Sequence, residues 1–154
     1  MEVLLDNEKK EEENDKSMVL LLDHKGFKTL FTGDISADIE REINSKIDLL
    51  KVAHHGSRTS TCDEFLEKTR PKLAVISAGY ENSYEHPHKE SLENLEKHGI
   101  IYYVTSRDGE VDFKILGNQL RIDVNNKNQD YKFEIILIVI IAVVVGFIYS
   151  YVLV

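Results

Sequence analysis

Residues 47 to 57 read Ile-Asp-Leu-Leu-Lys-Val-Ala-His-His-Gly-Ser, and this stretch decides the fold class. Residues 47 to 53 form an apolar run of strand length. The run passes without a spacer into His54-His55-Gly56-Ser57. The same design recurs on either side. Residues 27 to 32 (FKTLFT) run straight into Gly33-Asp34, and residues 72 to 77 (KLAVIS) are followed across a loop by His86-Pro87-His88. Loops at strand ends are where α/β proteins place ligands.

Working outward, strands and helices alternate. Residues 2 to 5 suit a short strand. Residues 18 to 22 and 27 to 32 flank His24-Lys25-Gly26, a hairpin signal with glycine in the turn. Ser36 suits the cap of a helix reaching Lys46, with Ile39 and Ile43 on one face. Thr61 and Glu64 have capping-box spacing for a helix that Pro71 ends. Pro87 suits the first turn of a helix running to His98, with His86 just before it and His88 inside it. Gly99 then marks its C-terminal stop. Residues 100 to 105 and 110 to 116 flank Asp108-Gly109, a second hairpin signal. One more strand is expected at 120 to 124. The class is α/β, a sheet covered by helices.

Composition narrows the function. The chain has 154 residues, 42% apolar and 30% charged, which is globular rather than disordered. The formal charge is −8, and the first 16 residues carry seven acids against three lysines. Residues 7 to 16 read as a solvated acidic loop. A chain so acidic cannot hold a polyanion by overall Coulomb attraction, so a local patch or a metal must grip one. Cys62 is the single cysteine, which excludes an internal disulfide and a Cys-rich zinc site. No apolar stretch near the N-terminus suggests a signal peptide.

The far end is different. Residues 135 to 154 read IILIVIIAVVVGFIYSYVLV. Fifteen of these twenty are Ile, Leu, Val or Phe. At roughly −0.3 to −0.6 kcal/mol each they contribute about −4.5 to −9 kcal/mol toward insertion in a bilayer. Twenty residues in a helix span ~30 Å, one hydrocarbon core. The expected organisation is a domain over 1–126, a linker over 127–132 and a C-terminal transmembrane helix over 133–154. That predicts a single-pass protein anchored in a lipid bilayer, with the side of its soluble domain left open.

The chemistry-bearing residues are Asp34, His54, His55, His86 and His88. A carboxylate with several imidazoles is a usual donor set for zinc and related metals. Gly33 and Gly56 beside them allow a ligand to approach the backbone. Taken singly, each residue has a plainer reading, Asp34 as a helix cap and His86 as an N-cap. His24 and His98 read as structural. Four of the six histidines nonetheless fall in two tight clusters.

FTGD (31–34), IDLLKVAHHGS (47–57) and HPH (86–88), in this order, resemble the metallo-β-lactamase fold. Together with SMVLLLDHKGFKTLFTGD (17–34) and PKLAVISAG (71–79), they more closely resemble the nuclease-like domain of ComEC-type competence proteins, which take up DNA. The resemblance covers roughly 17 to 116 and implies the C-terminal half of an αββα sandwich. It implies Asp34 and His54 or His55 as metal ligands, with His54 favoured, and zinc or manganese as the metal. It implies His86 and His88 as catalytic groups that contact phosphate or protonate a leaving group. The family's HxDxDH metal motif does not occur in these 154 residues.

Three functional readings follow. The chain is a membrane-anchored partial domain related to ComEC-type proteins and not catalytic alone. Alternatively it is one half of a split metal-dependent phosphodiesterase or nuclease, completed by a separately encoded N-terminal half-domain. Or it is an unrelated tail-anchored binding domain. The three differ in whether DNA and a partner chain belong to the function.

Overall fold

The computed structural model describes residues 1–5, 11–116 and 119–125. The expected linker at 127–132 and transmembrane helix at 133–154 lie outside the described residues. Among those described, no helix is long and apolar enough to cross a membrane. The chain divides into two compact units, Met1–Arg107 and Asp108–Val154.

The first unit is built on a six-stranded sheet whose spatial order is β1 (Glu2–Leu5), β2 (Val19–His24), β3 (Phe27–Phe31), β4 (Leu49–Lys51), β5 (Leu73–Ile76) and β6 (Ile101–Val104). β1, β2 and β3 pair antiparallel, and β3 through β6 pair in parallel. The β2–β3 hairpin forms where expected, with His24 opposite Phe27 and both turn residues, Lys25 and Gly26, at positive φ. Each parallel pairing is bridged by a helix: α1 (Ala37–Glu40), α2 (Asp63–Thr69) and α3 (Lys89–Lys97).

Register explains the layering. Leu30, Leu50 and Ala74 lie opposite one another on β3, β4 and β5. They join Ile39, Phe65, Leu66 and Leu95 from the three helices in one buried cluster. Burying a side chain of this size contributes about 1.5–3 kcal/mol. The alternate positions point to the other face. Phe31, Lys51, Val75 and Tyr103 make one such row, and Thr29, Leu49, Leu73 and Ile101 the next. On this second face Leu22, Phe31 and Ile101 remain 37%, 40% and 61% exposed.

Local predictions fail where tertiary groups compete. The helix expected from Ser36 to Lys46 closes at Glu40, because the Glu40 side chain turns inward to bond the Thr61 and Cys62 N–H groups at 2.8 and 2.9 Å. Ile39 and Ile43 are still both buried. The Thr61/Glu64 capping box does not form. Cys62 is the N-cap of α2, with no side-chain cap bond, and Glu64 pairs with Lys68 at 2.8 Å. α2 does end at Thr69, with Arg70 left-handed ahead of Pro71. Ser36 gives its hydroxyl to Asp15 at 2.9 Å, so part of the acidic loop is tied down.

The hairpin expected across Asp108-Gly109 is also absent. β6 pairs with β5 and leads into a helical turn, α4 (Thr105–Asp108). In the second unit β7 (Glu110–Leu116) pairs instead with β8 (Gln119–Asn125), Leu116 opposite Gln119, covering the strand expected at 120 to 124.

Candidate functional site

Three neighbouring parallel strands, β3, β4 and β5, end at the same edge of the sheet, and each hands the chain to one wall of a cleft. After β3, Thr32 donates its hydroxyl to the Lys51 carbonyl at 2.7 Å and Gly33 turns the chain at φ +58. Asp34 follows, its N–H held by the Ser17 hydroxyl at 3.1 Å. After β4, His54 and His55 both take left-handed φ, 47 and 55. Non-glycine residues pay roughly 1–2 kcal/mol each for that conformation. Two consecutive instances beside candidate ligands are the sort of strain that gathers at functional sites. The His54 N–H is anchored on the Gly33 carbonyl at 3.1 Å.

The cleft is about 340 Å³ and is lined by Asp34, His54, His55, Gly79, Tyr84 and His86, among others. His55 Nε2 lies 3.8 Å from Asp34 Oδ1. His55 Nδ1 lies 2.6 Å from the Ser77 carbonyl, which can only accept, so Nδ1 carries a proton and Nε2 is the ring nitrogen turned toward the carboxylate. A metal-binding histidine is usually oriented by such a bond. His54, which the sequence favours as ligand, instead has Nε2 3.4 Å from Asn14 Nδ2. The His86 ring is 5.5 Å from that of His54 and 6.2 Å from that of His55. Burial first, then the neighbouring His88, His54 and His55, lower the His86 pKa, with Asp34 opposing.

The HPH segment departs from expectation. His88 is the N-cap of α3, and Pro87 lies before the helix rather than in its first turn. The His88 N–H is spent on the Gly56 carbonyl at 2.9 Å, which pins the segment to the β4 loop. His88 Nδ1 accepts the Arg58 N–H at 3.1 Å, so its ring proton belongs on Nε2. The His88 ring is 4.7 Å from that of His86, although His88 is not among the residues lining the cleft. Gly33 and Gly56 also have a different reason from the one expected. A Cβ would meet Ser17 Cβ at 2.6 Å from Gly33 and Pro87 Cβ at 2.7 Å from Gly56, so the protein's own packing demands both glycines. His98 is structural, bonded to Asp63 at 2.9 Å.

Sequence reasoning missed several members of the site. Asn82 clasps the loop over the cleft, donating to the Gly79 and His86 carbonyls at 2.9 and 2.7 Å and accepting the His86 N–H at 2.9 Å. Thr105 ties down Ala78 on the rim by two bonds of 3.0 Å. Lys51 is lowered in pKa by burial, with Asp34 pulling the other way. Nothing in the loop sequence between Gly79 and His86 advertised Asn82 as a clasp.

No family model matches the chain. Curated relatives do. ComE operon protein 3 of Bacillus subtilis is 40% identical over 106 residues, which are 66% of this chain and 14% of the relative. Recombination protein 2 of Haemophilus influenzae is 35% identical over 113 residues, 71% of this chain and 14% of its own length. Competence protein ComA of Neisseria gonorrhoeae is 34% identical over 108 residues, 66% of this chain and 16% of its own length. This chain is a homologue of competence-related proteins. It corresponds to about one seventh of the length of these relatives.

The donor chemistry can be tested against a metal. Asp34 and the oriented His55 make a suitable pair. A catalytic zinc site takes three protein ligands and a structural one four. Among the described residues no group of three or more His, Cys, Asp or Glu side chains is arranged to hold a metal ion. Asp34 and His55 together supply two donors, fewer than either kind of zinc site takes.

Proposed function

We propose that this chain is a membrane-anchored partial domain of a ComEC-type DNA-uptake protein, the C-terminal half of a metallo-β-lactamase-like sandwich, and that it does not hydrolyse phosphodiesters alone. One observation carries the reading. His55, oriented by Ser77, faces Asp34 at 3.8 Å beside the His54 and His86 rings, at the edge where β3, β4 and β5 end. That is the part of a phosphoester site these 154 residues supply. The relatives support the competence role, since Competence protein ComA carries it in its name. The bilayer anchor rests on the apolar run at 135–154.

A second reading has its own support. On the sheet face turned away from the three helices, Leu22, Phe31 and Ile101 are apolar side chains left exposed, although Thr29, Leu49 and Leu73 of the same face are buried. Exposed apolar side chains are what a partner covers. In that reading Asp34 and His55 contribute ligands for zinc or manganese to a split phosphodiesterase completed by another polypeptide carrying HxDxDH. One experiment tests both. The purified full chain, incubated with linear DNA and added manganese or zinc, should show no degradation above background. Metal-dependent turnover by the chain alone, abolished in Asp34→Ala, would overturn the main reading. Turnover that appears only on adding an HxDxDH-bearing half-domain would select the second.

A further inference from the structure

Tyr84 sits at the mouth of the cleft and is 73% exposed. Its ring lies nearly parallel to that of His86, with centroids 5.8 Å apart and planes 22° apart. His86 in turn lies nearly parallel to His55, 6.2 Å apart and 18° off. Tyr84, His86 and His55 therefore form a run of three near-parallel rings leading in from solvent to the Asp34 carboxylate. The loop that presents Tyr84 is held by the Asn82 side chain through three hydrogen bonds and by the Glu85 N–H on the Asn82 carbonyl at 3.1 Å. An exposed aromatic ring carried by a loop that is itself tied down offers a stacking surface with little backbone ordering left to do on binding.

We propose that Tyr84 is a specificity-determining residue of this site, a shelf on which one unpaired base of a nucleic-acid strand stacks while a neighbouring phosphate enters among the histidines. This rests on the phosphoester reading above and adds to it a preference for base-bearing single strands. Stacking on an aromatic side chain tolerates any base, because every base has a π-face, so the preference is for having a base rather than for a sequence. A duplex keeps its bases stacked on each other and leaves none for the shelf. The shelf lies two rings from Asp34, so the stacked base and the phosphate near the carboxylate belong to different nucleotides. A ligand of at least two nucleotides is required.

The test uses the full chain in detergent and two fluorescein-labelled tetramers of equal charge, thymidine tetranucleotide and its abasic counterpart, with binding read by fluorescence polarisation. The thymidine tetramer should bind about fivefold or more tightly than the abasic one. Tyr84→Ala should erase that ratio and Tyr84→Phe should keep it, since the ring and not the hydroxyl does the stacking. Equal binding of the two tetramers, or a ratio that survives Tyr84→Ala, overturns the shelf. If the abasic tetramer binds and shifts the His86 ring resonances while bases add nothing, the shelf alone fails. If neither tetramer binds, the phosphoester reading fails and the shelf with it.

Discussion

Glu40 is 1% exposed, and its carboxylate takes the Thr61 and Cys62 N–H groups. Burial is the largest influence on it and raises its pKa to about 7, against the pull of those two N–H groups. A folded value above the unfolded 4.5 means that folding favours the protonated form. The stability from this group is full below about pH 4.5 and is lost as pH rises through about 7. The whole effect is of order 3 kcal/mol. His86, lowered by burial, works in the opposite sense, so the useful quantity is the difference between wild type and Glu40→Gln. Urea midpoints at pH 5 and pH 8 should fall with pH more steeply in wild type than in the variant; equal slopes would clear Glu40. A second residue-scale prediction contrasts two glycines. Gly56→Ala meets Pro87 at 2.7 Å with φ at +79, whereas Gly26→Ala meets nothing within 4 Å at φ +85. Both pay for the backbone, about 1–2 kcal/mol. Gly56→Ala should cost at least about 1 kcal/mol more in thermal unfolding, and it should displace the His86 resonances.

Among the elements, the two faces of the sheet should respond differently to substitution. Leu30 is fully buried under the helices, while Ile101, in the adjacent row on the other face, is 61% exposed. Leu30→Ala should cost about 2–5 kcal/mol. Ile101→Ser should cost less than about 0.5 kcal/mol by the same urea titration and should reduce binding of a hydrophobic dye. A cost above about 2 kcal/mol for Ile101→Ser would mean that Ile101 itself is covered in the folded chain. The elements also show why some boundaries were readable. The parallel strands β4 and β5 announce themselves as short apolar runs, and Gly26 supplies a positive φ that the β2–β3 turn requires. The α1 helix did not follow its apolar spacing because Glu40 satisfies backbone donors 21 and 22 residues away, which no local pattern encodes.

For the whole molecule, the strongest prediction comes from composition. Mean hydropathy is −0.27, yet residues 135–154 are almost wholly apolar. Deleting 133–154 should move the protein from the membrane fraction to the soluble fraction. Full-length protein that stays in solution without detergent would contradict the anchor.

What the sequence determined by itself was the alternation of strands and helices and the placing of Asp34, His54, His55 and His86 at strand ends or in the loops that follow them. Apolar spacing and strand-end position are local properties, set by side-chain periodicity and turn chemistry. Which imidazole faces Asp34 was not local. His55 does so, rather than His54, because two successive left-handed residues swing the loop and the Ser77 carbonyl, 22 positions on, fixes the ring. The same holds for His88, whose N–H goes to Gly56 and whose Nδ1 goes to Arg58. The tertiary structure decides these orientations because each is set by a hydrogen bond to a distant strand or loop. Only when β3, β4 and β5 lie side by side do those donors and acceptors meet.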